Sequence, residues 1–252
     1  MTEKQILDIS IDVGIGMLIH GAEIHRVEDT ISRISSAYGC KADVFAIPAS
    51  LIVTLSNSTG ETYTKTCRIT KSDINLNKVD LLNSLARKIC ASLPTLEEIQ
   101  TELNAIENTK SYNQITNILA AALAAAAFSL FFGGGIHELI SAAIFGAVIR
   151  GTNQLVAKFG SGYMLSYIVG GILCALLPLL TNLYFISLQT DVVITSTLML
   201  LVPGLTLTSS MREFIAGDLV TGVMKITEAL IIAAGVAIGV IVVLVFVAGG
   251  SI

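Results

Sequence analysis

The sequence has no tryptophan, three histidines and four prolines, and Asp, Glu, Lys and Arg together make up only 13% of its 252 residues. An ordinary soluble domain carries about 25% charged residues. So few charges cannot cover a water-facing surface on every side. A mean hydropathy of +0.77 makes lipid the natural solvent for much of the chain. There is no basic cluster, and the net charge is −4. Both exclude a phosphate-neutralising nucleic-acid surface. Without tryptophan, an aromatic belt at a membrane interface falls to Tyr112, Tyr163, Tyr167 and Tyr184. Cys40, Cys67, Cys90 and Cys174 form no C-x-x-C pair, so neither a zinc motif nor a disulfide framework is read. They are expected to be reduced structural thiols. The start, MTEKQILDIS, lacks a basic stretch followed by an apolar run, so no signal peptide is expected. A P-loop, a dinucleotide-type glycine loop and a nucleophile motif are all missing. No cofactor is expected.

Residues 1–110 read as a soluble α+β domain. Over residues 4–19, Ile6, Leu7, Ile9, Val13, Leu18 and Ile19 fall near helical spacing. After Gly21, a second amphipathic helix is expected over 22–38, with Ile24, Val27, Ile31 and Ile34 on one side and Gly39 as its stop. Three β-prone runs follow, at 43–47, 51–56 and 62–69. Asn57-Ser58-Thr59-Gly60 predicts a hairpin between the last two. Thr62, Thr64 and Thr66 alternate with Tyr63, Lys65 and Cys67, as in an edge or half-exposed strand. A helix over 78–92 should bury Val79, Leu82, Leu85, Ala86 and Ile89 and break at Pro94. Thr95 with Glu98 is a capping box that opens a further helix to about residue 108.

At Tyr112 the composition changes, and residues 111–252 are expected to form an all-α transmembrane domain of five helices. The first span, 115–132, has no charge and makes about 27 Å of helix, near the bilayer minimum. Gly133-Gly134-Gly135 ends it. The others are expected at 139–149, 163–181, 192–208 and 226–249. Lys110 precedes the first span. Arg150 and Lys158 fall in the second loop, Arg212 and Lys225 in the fourth, and the first and third loops have no Lys or Arg. The positive-inside rule then predicts a cytoplasmic N-terminal domain and an outside C-terminus.

Ionisable groups at membrane depth cost roughly 2.5–3.5 kcal/mol each, so the few present are candidates for function: Glu138, Arg150, Arg212, Asp218 and Glu228. Arg150 leads a polar string with Thr152, Asn153 and Gln154. Its planar two-pronged donor suits a carboxylate. Glu228 opens an otherwise uncharged helix and reads either as a proton-exchanging acid or as a helix-end carboxylate. Glu213 and Lys225 read as helix-end groups in the headgroup layer. In LLVPGLTLTSS (200–210), Pro203 and Gly204 should break or kink the fourth span at depth. Freed backbone groups survive there only against protein or a wet cavity, and interrupted helices are where carriers place solute sites. A kink used only for packing is the plainer alternative. HGAEIHRVEDT (20–30) is dense in polar chemistry, and His25, Glu28 and Asp29 share a helix face. It is not an H-E-x-x-H signature, so no metal is expected and a solvated face with internal ion pairs is. Gly235 and Gly239 form a small-x-x-x-small pair.

Taken together, HGAEIHRVEDTISRISSAYG (20–39), FFGGGIHE (131–138), LMLLVPG (198–204) and the Gly-Asp-x-x-x-Gly of 217–222 resemble the threonine/serine exporter family, in particular the larger subunit of its two-component branch. The resemblance runs over nearly the whole chain. It implies export of threonine, serine or a succinate-type C4-dicarboxylate across the bacterial inner membrane by a multi-pass protein. It also implies a small membrane partner subunit bearing the second hydrophobic half, in a hetero- or homo-oligomer. The family's N-terminal motif falls on Gly21, Ala22, Glu23 and Val27, and its membrane motif on Pro203 and Gly204. His25, Arg26 and Glu28 complete the cytoplasmic set. Many relatives carry Asp or Trp-Asp after the FGG turn, where this chain has His137-Glu138. The expected function is therefore a proton-linked exporter subunit. The alternative is a membrane-tethered enzyme doing hydrolytic chemistry at His25 and Glu28, against which the missing nucleophile–base arrangement counts.

Overall fold

The computed structural model describes residues 1–70, 72–110, 112–158 and 163–249. The side chain of Lys158, that of Tyr163 and residues 159–162, within the expected second loop, lie outside the described residues. The chain divides into two compact units, Met1–Ser111 with Thr208–Lys225, and Tyr112–Leu207 with Ile226–Ile252.

The first unit opens with α1 (Glu3–Ile19) and α2 (Ile24–Ala37). Thr2 and Gln5 close a capping box on α1. This helix is apolar on almost every side, and Ile9, Ile11, Val13 and Met17 are essentially inaccessible. Gly14 lets α2 come close, since a Cβ there would lie 2.6 Å from the Ile31 side chain. The strands β1 (Lys41–Ile47), β2 (Ser50–Ser56) and β3 (Thr62–Arg68) form an antiparallel sheet in the order β1-β2-β3. Leu51, Val53 and Leu55 of β2 point into the core. The expected hairpin is built on Asn57, whose Oδ1 accepts from the amides of Thr59 and Glu61 at 3.0 and 2.9 Å. β3 is mostly exposed, as its alternation predicts. Lys65 ties it to α1 through Asp8, 2.5 Å away. Helices α3 (Leu76–Ser92) and α4 (Leu96–Glu107) complete this region, and the Thr95–Glu98 capping box is formed. The five apolar positions expected on α3 are all buried.

The remainder of the first unit is α9 (Gly204–Ala216) from Thr208 onward and the start of α10 (Leu219–Gly249). This stretch was expected to be a loop. It is instead a helical hairpin. Gly217 turns the chain at φ +90°, a conformation that suits only glycine. Asp218 then caps α10 by accepting the Thr221 amide at 3.1 Å. Gly222 faces the Phe214 ring, where a Cβ would lie 2.5 Å from the ring edge. The Gly-Asp-x-x-x-Gly motif therefore encodes a tight turn, a cap and a close crossing.

The second unit contains α5 (Gln114–Phe131), α6 (Ile136–Lys158), α7 (Tyr163–Tyr184), α8 (Thr190–Leu198) and the apolar run of α10. Among the described residues, four helices are long and apolar enough to cross a membrane: α5, α6, α7 and α10. Only 11–28% of each of these spans is buried inside the protein, which suits surfaces wetted by lipid rather than water. Four of the five expected spans are continuous helices of that kind. The fourth expected span breaks at Pro203 into α8 and α9, of 9 and 13 residues. Proline has no amide hydrogen and excludes the preceding turn. The second span is also longer than expected, because α6 runs through Arg150 to Lys158. Asn153 lies next to Gly170. The core gathers Ala125, Phe145, Ile149, Cys174, Val193 and Leu201. Glycines set the closest approaches. A Cβ at Gly171 would overlap the Val236 carbonyl, and one at Gly239 the Ile168 carbonyl, so α7 and α10 touch backbone to backbone.

Candidate functional site

In the first unit, the 20–30 motif and the 208–225 hairpin build one charged cluster. Gly21 ends α1 at φ +89°, and Ala22 is buried behind it. Glu23 then sits at the N-cap of α2 without capping it through its side chain. Its carboxylate instead accepts from Arg212 Nη1 at 2.8 Å. The Arg212 hydrogen bond holds the Glu23 carboxyl below its ordinary value. His25 Nε2 lies 3.6 Å from the other Glu23 oxygen.

Glu213, beside Arg212, is completely buried. Its Oε1 accepts the Ile24 amide at 3.1 Å and the Lys225 ammonium at 2.7 Å. Lys225 also donates to Ser209 Oγ at 2.8 Å. Glu213 Oε2 is buried with no hydrogen-bond partner, and so is the Thr221 hydroxyl one turn into α10. Glu28, half-buried one turn along α2, accepts the Ala46 amide at 3.0 Å. Burial pushes the Glu28 carboxyl up; the Ala46 amide opposes this, and the charges of Asp218 and Glu213 push it further up. The site is thus an arrangement of carboxylates and cations around one buried ion pair.

Sequence reading had marked Glu23, His25, Glu28, Arg212 and Asp218, and the fold brings these together. Arg26 points elsewhere, into a groove of about 530 Å³ between α2 and α3 that Asp29, Arg33 and Arg87 also line. Asp29 pairs with Arg33 at 2.8 Å, so His25, Glu28 and Asp29 do not converge. Among the described residues, no group of three or more His, Cys, Asp or Glu side chains is placed to hold a metal. The reading missed Glu213 and Lys225, taken as headgroup-layer ends. The available signal was that Arg212, Glu213 and Lys225 are charges in a charge-poor half.

The second unit holds the remaining candidates separately. Glu138 is buried, and its two oxygens accept the amides of Gly135 at 2.9 Å and Gln189 at 3.0 Å. It clasps the glycine turn to the start of α8. Three successive hydroxyls, Thr195, Ser196 and Thr197, bond back to carbonyls four residues earlier on α8. The break that follows places Leu201 against Gly170, the glycine that Asn153 also approaches. Asn153 Oδ1 is buried without a hydrogen-bond partner. Gln154 is half-buried beside it, while Arg150 and Glu228 are both exposed on their helices.

Over residues 8–247 the chain matches the family described as "Putative threonine/serine exporter". The chain belongs to the threonine/serine exporter family. This is a transporter family, not an enzyme family, and the hydrolytic alternative falls away. The chain is 25% identical over 244 residues to the "Threonine/serine exporter" of Corynebacterium glutamicum, across 93% of this chain and 50% of that protein. It is 21% identical over 243 residues to the "Probable threonine/serine exporter" of Mycobacterium tuberculosis, across 95% of this chain and 46% of that one. The chain thus spans about half the length of these two relatives. It is also 21% identical over 240 residues to the "Probable succinate transporter subunit YjjP" of Klebsiella aerogenes, across 95% of this chain and 93% of that one. No solved structure matches the chain.

Proposed function

We propose that this chain is one subunit of a proton-linked secondary transporter that exports threonine, serine or a C4-dicarboxylate across the bacterial inner membrane. The observation that carries the reading is the helix interrupted at Pro203 and Gly204 in a member of a transporter family. Asn153, with its buried carbonyl oxygen unpartnered near that break, supports a polar solute site there. Gln154 and Arg150 follow on the same helix as groups for a carboxylate.

The charged cluster supports a membrane topology. The Glu23–Arg212 and Ile24–Glu213 contacts favour 208–225 lying on the same side of the bilayer as the N-terminal domain. If α5, α6 and α7 each cross, the stretch from Phe185 to Leu207 must cross back. The stretch through α8 and the break at Pro203 is then a fifth crossing, although α8 does not span alone. The arrangement of Lys and Arg supports a cytoplasmic N-terminal domain and an outside C-terminus. Arg150 and Glu228 are exposed on membrane helices, where a bare charge costs roughly 2.5–3.5 kcal/mol. A small membrane partner subunit would cover them.

The test is efflux of labelled threonine, serine and succinate from cells expressing the chain with and without that partner. Partner-dependent efflux that a protonophore abolishes is the expected result. Unchanged efflux and unchanged internal pools for all three solutes, with the protein present in the membrane, would refute the proposal.

A further inference from the structure

Proton coupling needs a group that can exist both charged and neutral inside the folded protein, and a carboxyl is one such group. Most acids of this chain are committed or exposed. Glu138 uses both oxygens on backbone amides. Asp218 is occupied with the start of α10. Glu228 is exposed on its helix. Glu23 is paired with Arg212.

Glu213 differs from all of these. It is inaccessible to solvent, and only one of its oxygens is served by donors. A buried carboxylate oxygen with no donor is costly, whereas the same oxygen carrying a proton is neutral. Its surroundings present both signs of charge. Glu23, His25 and Glu28 come from α2, Arg212 from its own helix, and Asp218 and Lys225 from α10. Glu28 is half-buried and His25 exposed.

We propose that Glu213 is the proton-binding carboxyl of the exporter. The inference rests on the proton-linked reading above. In the step itself, Glu213 Oε2 takes up one proton and the carboxylate becomes a carboxylic acid. Release reverses this, and no other bond changes. Protonation removes the charge that holds Lys225, which keeps its hydrogen bond to Ser209. Lys225 stands just before the uncharged run of α10 that contains Gly235 and Gly239, so the proton changes the charge at the root of a helix packed backbone to backbone on α7.

The experiment uses the full chain with its partner subunit in vesicles, with labelled threonine, serine and succinate as probes and the membrane potential clamped. A gradient of one pH unit supports about a tenfold solute gradient per coupled proton. The parent protein is expected to reach that ratio, and Glu213→Gln, which keeps an oxygen for Ile24 and Lys225, a ratio near unity. A coupled parent with an equally coupled Glu213→Gln variant overturns the inference alone. A parent that transports without responding to the pH gradient overturns the proton-linked reading and the inference with it. Should Glu213→Gln fail to fold, infrared difference spectra of the parent carry the test. A protonated-carboxyl band that Glu28→Gln moves to lower pH is expected. A spectrum with no titrating buried carboxyl overturns the proposal.

Discussion

Lys225→Met isolates the energetics of the buried pair. In the parent, the Glu213 carboxylate is fully buried, and its charge is met by Lys225 at 2.7 Å and one backbone amide. Removing one partner of a buried pair typically costs about 3–5 kcal/mol, because the remaining charge is left uncompensated. The expected deficit is therefore about 3–5 kcal/mol. For a unit of this size it lowers the melting temperature by about 10 °C. Adding Glu213→Gln should recover most of it at pH 7, because no buried charge then remains. The assay is thermal unfolding of the detergent-solubilised protein, parent against variants. A deficit below about 1 kcal/mol at pH 7, or one that Glu213→Gln does not relieve, would refute this account of the pair.

Three further outcomes follow from the geometry. Gly171→Ala should prevent α7 and α10 from meeting and sharply reduce the yield of monodisperse protein, whereas Gly235→Ala, whose Cβ would find its nearest neighbour at 3.4 Å, should be tolerated; size-exclusion profiles compare them. Glu138→Gln should cost about 1–3 kcal/mol in thermal unfolding, because its amide nitrogen must face one of two backbone donors. Glu28→Gln should stabilise the protein at neutral pH: the folded-state carboxyl is raised, so ionised Glu28 destabilises above that value, and the benefit should vanish as pH falls below the ordinary carboxyl range. A melting-temperature series against pH checks that sign.

Much of the fold was legible because its signals are local. The capping residues Thr95 and Glu98, the Asn57 turn and the α3 apolar stripe each depend on neighbours within a few residues. The uncharged run before Gly133 announced a membrane helix by composition alone. Long-range pairings were not legible. Nothing near residue 213 in sequence says that its carboxylate meets an amide 189 positions earlier. Read locally, Glu213 and Lys225 look like the polar end of a span, and in the fold they form the buried pair. Polarity also misled at Arg150-Gly151-Thr152-Asn153-Gln154, which has a loop's composition and a helix's structure. The break at Pro203 was legible from the proline and glycine themselves, and of the two outcomes they allow, a break or a kink, the fold takes the break.

The most direct test of the account is transport by purified protein. Vesicles containing the chain with its small partner subunit, loaded with labelled threonine, serine or succinate, are placed in buffer that sets a pH gradient. The account predicts release of at least one of the three solutes, faster than from vesicles lacking protein and accelerated by the gradient. Release no faster than from protein-free vesicles, for every solute and either gradient direction, would contradict it.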